Sequence, residues 1–321
     1  PDNPLKYLNS YILPEGERPC IIDTGFNRVE CWESLKEGID QLKVDLKKTD
    51  LFITHLHSDH MGLAYRLFQE GCTIYMNPED YNYFLGNIKG DNWSHIEDIF
   101  CQEGFPREEI AIQKAGNQAR IYAAEEAFPI VPVEDGETVT LSGMSFVAIN
   151  TPGHTKGHTC LYLPGEEIMF TADHILFDIT PNITPWLNLK DSLKAYENSL
   201  NKISTYTVKR AFPSHRTQSK PFSSRIEELK VHHRHRLEEM CRIISEEPAL
   251  NAYEISARLK WSMRGKSFEE FSPSQKWFAV GEAIAHLNYL LNDKKVEKKK
   301  IDDVYSYYFI DSDVSSHFGV K

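Results

Sequence analysis

The sequence predicts an α+β protein in two parts, a large one over residues 1–220 and a smaller one over residues 221–321. Three observations carry this. Short apolar runs alternate with stretches of helical spacing through the first half of the large part, and further on the apolar pattern changes to simple alternation, the mark of strands. Beyond "KPFSSR" it changes again, to amphipathic helices that end in a pair of strand-like runs. With 321 residues, 41% hydrophobic and 26% charged, the chain has the make-up of a folded globular protein, one large domain with an appendage.

In order, "NSYILP" and "PCIIDTG" read as two strands joined by a turn at 14–18. "RVECWESLKEGIDQLK" places Val29, Trp32, Leu35 and Ile39 at helical spacing. "LFITHLH" returns to strand, "GLAYRLFQEG" is a helix with a glycine stop, and "TIYMNP" is a further short strand. Residues 79–128 read as a mostly helical, aromatic insertion over one edge, a candidate lid or pocket wall for which core packing serves equally well. From "VPVEDGETVTLSGMSFVAINTPG" to "HTCLYLPGEEIMFTAD" a run of antiparallel strands is expected. In the smaller part, "RIEELKVHHRHRLEEMCRIISEE", "NAYEISARLKW" and "SPSQKWFAVGEAIAHLNYLLNDKKV" are three helices. "KVEKKK" and "VYSYYFI" follow as two strands around a tight turn at 301–303, the order of a winged-helix domain.

Composition removes several classes of function. No apolar run approaches the roughly 18 residues that span a bilayer, and no leader pattern opens the sequence, so no membrane association is expected. The chain begins at Pro1, and a preceding natural segment is expected to be missing. Six dispersed cysteines (Cys20, Cys31, Cys72, Cys101, Cys160, Cys241) form no Cys-x-x-Cys pair, which argues against a zinc ribbon or a disulfide scaffold and for a cytoplasmic location. The net charge of -11 disfavours nucleic acid as a partner, because phosphate binding depends on Lys and Arg. Residues 221–321 carry 16 basic and 16 acidic residues, so the whole deficit lies in the larger part.

The chemistry concentrates in "FITHLHSDHMGLA". His55, His57, Asp59 and His60 crowd four metal-capable side chains behind an apolar strand. Alternate residues of an extended segment share a side, so His55 and His57 can chelate one ion, while Asp59 and His60, past a bend, address a second. Imidazoles and carboxylates suit zinc at distances near 2.0–2.2 Å. Further ligands stand after other apolar runs: His154 in "NTPGHTKGHT", Asp173 in "MFTADHI" and His215 in "AFPSHR". Strand-end loops converge on one rim of a sheet, where catalytic groups gather.

These motifs, in this order, resemble the metallo-β-lactamase-fold hydrolases. The likeness rests on His-x-His-x-Asp-His, "TPGHTKGH", the isolated Asp173, the late His215 and the early "IDTG" at 22–25, and it covers roughly residues 5–220. It implies an αββα sandwich with two metals at one edge. Carried over position by position, His55, His57 and His154 bind the first metal, Asp59, His60 and His215 the second, and Asp173 bridges them. Relatives with a redox-active di-iron centre usually have Glu where this chain has His57, which favours two zinc ions per chain, with iron or manganese as the alternatives since affinity order alone does not choose the metal. Such a pair, about 3.5–4 Å apart, polarises a carbonyl or phosphoryl oxygen and lowers the pKa of water to roughly 7, supplying a nucleophile without serine or cysteine. Asp59 is also the expected catalytic residue, orienting that water or moving its proton.

Within the family, "TPGHTKGH" is most similar to the hydroxyacylglutathione thioesterases, which implies hydrolysis of a small thioester or ester. Those enzymes hold glutathione on a helical C-terminal domain with basic residues, whereas this chain reads as winged-helix-like there, so the glutathione is not carried over. A phosphodiesterase or nuclease on single-stranded RNA or DNA, and a lactonase, share the metal set. A non-catalytic DNA-binding or dimerisation protein is disfavoured: the would-be recognition helix has Lys276 as its one Lys or Arg, and Trp277, Phe278, Ile284, Leu287 and Leu290 suit packing. A homodimer through the C-terminal part, or closure of the pocket by it, is the expected use.

Other residues are less specific. Asp23 and Thr24 either brace the metal loop or simply stabilise a turn. His158 and His174 adjoin the ligands and could contact substrate, with an ordinary hydrogen-bonded role preferred. His232, His233 and His235 read as a solvated helix face, the alternative being a helix that lends a side chain to the site. Cys160 reads as a buried strand residue, and Tyr196 with the aromatics of 79–128 as candidate pocket lining.

Overall fold

The computed structural model describes residues 7–261 and 265–310; the remainder of the predicted C-terminal part lies outside the described residues. Two five-stranded sheets face each other. The first is built from β1 (Tyr11–Leu13), β2 (Cys20–Ile22), β3 (Asp50–Ile53), β4 (Thr73–Met76) and β5 (Val131–Pro132) in that spatial order. The second runs β10 (Arg210–Pro213), β9 (Ile168–Ala172), β8 (Thr159–Leu163), β7 (Met144–Asn150) and β6 (Thr138–Leu141). Between them lies a core of alternating side chains including Ile22, Phe52, Phe146, Leu161 and Phe170. Both strand patterns reflect burial: β3 is buried on both faces and reads as a continuous apolar run, whereas β6 alternates exposed and buried.

Helices cover both outer faces. Over the first sheet lie α1 (Val29–Gln41), α2 (Ser58–Met61), α3 (Ala64–Gln69) and α4 (Pro78–Lys89), with Leu35, Ile39, Leu67, Tyr83 and Phe84 in its apolar cluster. The insertion continues through α5 (Asp91–Gln102), α6 (Arg107–Gly116) and α7 (Gln118–Ile121). Over the second sheet lie α8 (Ser192–Ile203) and then α9 (Phe222–Glu246), α10 (Ala252–Arg258) and α11 (Pro273–Asn292), followed by the hairpin of β11 (Val296–Ile301) and β12 (Val304–Phe309). The αββα layering and the three-helix-then-hairpin order agree with the sequence.

Two expectations change. Val131–Pro132 does not open the antiparallel run; it pairs in parallel with β4 and closes the first sheet. The strand before the metal loop stops at Ile53, because the amide of Thr54 leaves the ladder to donate to the Asp23 carboxylate. His55 and His57 therefore share a bend rather than an extended face.

The two parts of the chain are not two separate cores. One cluster joins Ile149, Tyr162, Leu193 and Tyr196 with Ile226, Leu229, Val280 and Ile284, and it also takes in Phe100 and Phe105 of the insertion. Trp277 stacks on Phe100 at 3.6 Å and 7°. Lys276 donates to Glu109 at 2.8 Å, and the buried Glu103 accepts from the Tyr307 hydroxyl at 2.9 Å. The insertion is thus wedged into the core from both sides. Among the described residues no helix is long and apolar enough to cross a membrane.

Candidate metal centre

Every candidate ligand lies just past the C-terminal end of a strand, on one rim of the sandwich. His55, His57, Asp59 and His60 follow β3, His154 follows β7, Asp173 directly follows β9, and His215 stands two residues beyond β10. Since β9 pairs in parallel with β10, and β7 and β9 both run antiparallel to β8, the ends of β7, β9 and β10 point the same way.

Three overlapping triads result. His55, His57 and His154 form one, Asp59, His60 and His215 another, and His55, His60 and Asp173 a third between them; within each, the ligand atoms lie within 4.8 Å of one another. Asp173 sits between the outer two, with Oδ2 at 3.6 Å from Nε2 of both His154 and His60, and Oδ1 at 3.6 Å from Nε2 of His215. The structure therefore brings all seven side chains together.

The outer nitrogens of these rings are held by acceptors, which turns the inner ones inward. Nδ1 of His60 donates to Asp23 at 2.8 Å, Nδ1 of His154 to the Asn182 carbonyl at 2.9 Å, and Nδ1 of His215 to the Tyr7 carbonyl at 2.8 Å. The Thr54 hydroxyl gives its proton to Asp23 at 2.8 Å and so accepts from Nδ1 of His55 at 3.0 Å. His57 is turned the other way, with Nδ1 at 3.1 Å from Nε2 of His55. The inner atoms Nε2 of His60, His154 and His215 and Oδ1 of Asp173 are buried without a hydrogen-bond partner. Each such orphan costs about 1–3 kcal/mol. A divalent cation satisfies all four, so the donor set fits a metal.

The electrostatics agree. Burial, with His154 adding to it, pushes His57 down to about 3, and burial likewise lowers His55 and His154, so these rings are neutral and ready to ligate. Burial alone would lower His60, but Asp59, Asp173 and Asp23 outweigh it and raise it well above its ordinary value. Burial raises the Asp59 carboxyl, yet the charge of His60 and the nearby His215, whose Nε2 stands 3.4 Å from Asp59 Oδ2, bring it down to about 2.

The less specific candidates resolve individually. Asp23 is a brace: it takes bonds from the Thr54 amide and hydroxyl, His60 and, at 3.3 Å, Ser214 beside His215. Thr24 donates to the His60 carbonyl at 2.8 Å. His158 is fully buried, with Nδ1 at 2.8 Å from the Thr151 hydroxyl and its ring 5.0 Å from that of His55. His174 is buried beside Tyr196, pushed down to about 3 by burial. Tyr196 does not line a pocket: it is fully buried and its hydroxyl donates to the His174 carbonyl at 2.8 Å. His233 departs from the solvated-face reading. It is 1% exposed and paired with His286 at 3.1 Å, because α9 turns this face onto α11, whereas His235 stays exposed.

Four residues went unnoticed in the sequence. Asp80, in the first turn of α4, accepts from the Leu56 amide at 2.9 Å, the Thr155 hydroxyl at 2.6 Å and the Gly157 amide at 2.5 Å, tying the two histidine loops together. Burial lifts its carboxyl to about 6 against the pull of those bonds. Gly157 is required there, since a Cβ would meet Asn77 Oδ1 at 2.5 Å and the Asp80 nitrogen at 2.7 Å. Asn182 and Trp186 grip His154 from both ends, Asn182 through its carbonyl and Trp186 by donating Nε1–H to the His154 carbonyl at 3.0 Å. Arg225 of α9 donates to the Leu176 and Ile179 carbonyls at 2.6 and 2.8 Å, fastening the segment that follows Asp173. A surface recess of ≈ 600 Å³ near Arg66 and Tyr122 contains none of the ligands.

A cation-binding His/Asp cluster on the rim of an αββα sandwich defines a metal-dependent hydrolase. The chain belongs to the metallo-beta-lactamase superfamily, whose model matches residues 6–215, and residues 267–309 match the metallo-beta-lactamase-like C-terminal domain. Human acyl-coenzyme A thioesterase MBLAC2 is 22% identical over 213 residues, 64% of this chain and 72% of that protein. The atrochrysone carboxyl ACP thioesterase of Aspergillus fumigatus is 25% identical over 211 residues, 66% of this chain, and this chain spans about half of that enzyme, 51%. A metallo-beta-lactamase family protein from Thermus thermophilus shares the fold with a TM-score of 0.80, at 24% identity over 97% of this chain and 96% of that one.

Proposed function

We propose that the protein is a dinuclear zinc thioesterase, hydrolysing an acyl thioester or a related ester. The observation that carries the metal chemistry is the cluster of seven convergent ligand atoms, four of them buried and otherwise unpaired. His55, His57 and His154 would hold one ion, Asp59, His60 and His215 the other, with Asp173 between them. When bound, the metals polarise the acyl carbonyl and lower the pKa of water toward roughly 7. Thioester hydrolysis adds the oxygen of water to the acyl carbon and breaks the C–S bond, leaving a carboxylic acid and a thiol. Asp59, at 15% the most exposed of the carboxylates in the cluster, would orient that water or move its proton. Asp23, Asp80 and Asn182 keep the rings in place while the acyl group passes.

The names of the two thioesterase relatives support the substrate class, and the zinc preference rests on the all-nitrogen triad that includes His57. The six cysteines, none of them in a disulfide, fit a reducing cytoplasm. The boundary near residue 220, a winged-helix-like role for α9–α11 with the hairpin, and a homodimer formed through them belong to the same proposal, and sedimentation velocity tests the dimer.

The test is a panel of substrate classes on zinc-reconstituted protein: an acyl-coenzyme A, S-lactoylglutathione, a lactone and a phosphodiester, with Asp173→Ala as control. A thioester rate on the order of 10 per second, lost in the variant, is expected. Turnover of the lactone or phosphodiester with the thioesters untouched would replace the thioester reading and leave the metal centre standing.

A further inference from the structure

The cluster has an aromatic border on one side. Trp186 is half-buried, its ring 5.7 Å from that of His57, itself half-buried, and its Nε1–H donates to the His154 carbonyl. Tyr83 packs edge-on behind the indole at 5.0 Å and fixes it. On the other side of the 182–186 segment stands α11. Asn182, whose carbonyl holds His154, donates from its side chain to the Phe278 carbonyl at 3.3 Å. Phe278 is 59% exposed, in a helix whose other large apolar side chains are mostly buried. Among the described residues, Lys156 is paired with Glu79 at 2.9 Å and Arg236 with Glu282 at 3.4 Å.

A half-open indole 5.7 Å from the His57 ring, and an open phenyl ring on the helix whose backbone Asn182 holds, are the two apolar side chains available on this side. The matched charges offer little to a charged acyl group. We infer that Trp186 and Phe278 form a lip that receives the acyl chain of the substrate, and that the chain it receives is an extended apolar one. This rests on the thioesterase reading and adds to it which part of the substrate is recognised. The lip straddles the two parts of the protein, since Phe278 belongs to the C-terminal helices. Their place beside the catalytic part then has a use in choosing the substrate.

The experiment uses zinc-loaded protein and N-acetylcysteamine thioesters with straight acyl chains from acetyl to decanoyl. For the wild type, kcat/KM rises about fourfold with each methylene laid on the lip. Phe278→Ala, which keeps the backbone carbonyl that Asn182 uses, flattens that rise, and Trp186→Phe flattens it less. Binding is read separately from turnover, with the unreactive thioethers S-decyl- and S-ethyl-N-acetylcysteamine followed by tryptophan fluorescence; the decyl compound binds more tightly, and Phe278→Ala narrows the gap. Equal kcat/KM and equal binding across chain lengths, or a fall in both variants that is the same for every chain, would overturn the lip. Tight, Phe278-dependent binding of the decyl thioether without hydrolysis of any thioester would support the lip and remove the thioesterase reading instead.

Discussion

Asp23 shows how much of the centre hangs on single side chains. Its backbone is left-handed, at φ 58°, a conformation that Asp tolerates better than most residues and that aims its carboxylate into the rim. From there it meets donors beyond β3, in α2 and beyond β10, three of the places that supply ligands. Asp23→Ala leaves Nδ1 of His60 without its acceptor, and zinc affinity is expected to fall about 10–100-fold, measured by competition with a chromophoric chelator. Asp80 does the same for the loops around His57 and His154. Asp80→Asn keeps the shape but turns an amide group toward backbone donors, leaving one of them unsatisfied. The metal-free protein should lose about 1–3 kcal/mol, read from urea denaturation. The candidate ligands are legible because they are unusual residues in an unusual local order. Asp80 is not, because its partners lie 24, 75 and 77 positions away and no local pattern marks such pairs.

At the scale of elements, the strands and helices follow their periodicities, and the misreadings have local causes. The pair Val131–Pro132 has too few residues to show a period, so its parallel partner β4 could not be foreseen. The face of α9 carrying His233 reads as polar, and only the arrival of α11 makes it interior. That same helix holds the segment that follows Asp173 through Arg225, a buried guanidinium bonded to the carbonyls of Leu176 and Ile179. Arg225→Ala is expected to cost about 2–3 kcal/mol. Because that segment follows closely on Asp173, the visible spectrum of the cobalt-substituted protein should change with it. Tyr307→Phe, which removes the hydroxyl bound to Glu103 far along the hairpin, lowers stability and leaves the spectrum as it was.

For the whole molecule, the αββα layering brings the ends of four strands to one rim, and the C-terminal helices close over the outer face of the second sheet with a shared core. The layering could be anticipated from family resemblance and periodicity together. The shared core could not, since a change of composition near residue 220 looks alike whether the following helices dock tightly or hang on a linker. Under the proposed reading, seven side chains hold two metals for thioester hydrolysis. The most direct measurement is the rate of acyl thioester hydrolysis as metal-free protein is titrated with zinc. The account predicts no activity without metal, a rise on addition, and a plateau at about two equivalents per chain. Activity in the metal-free protein, or two tightly bound zinc ions with no thioester turnover, would contradict it.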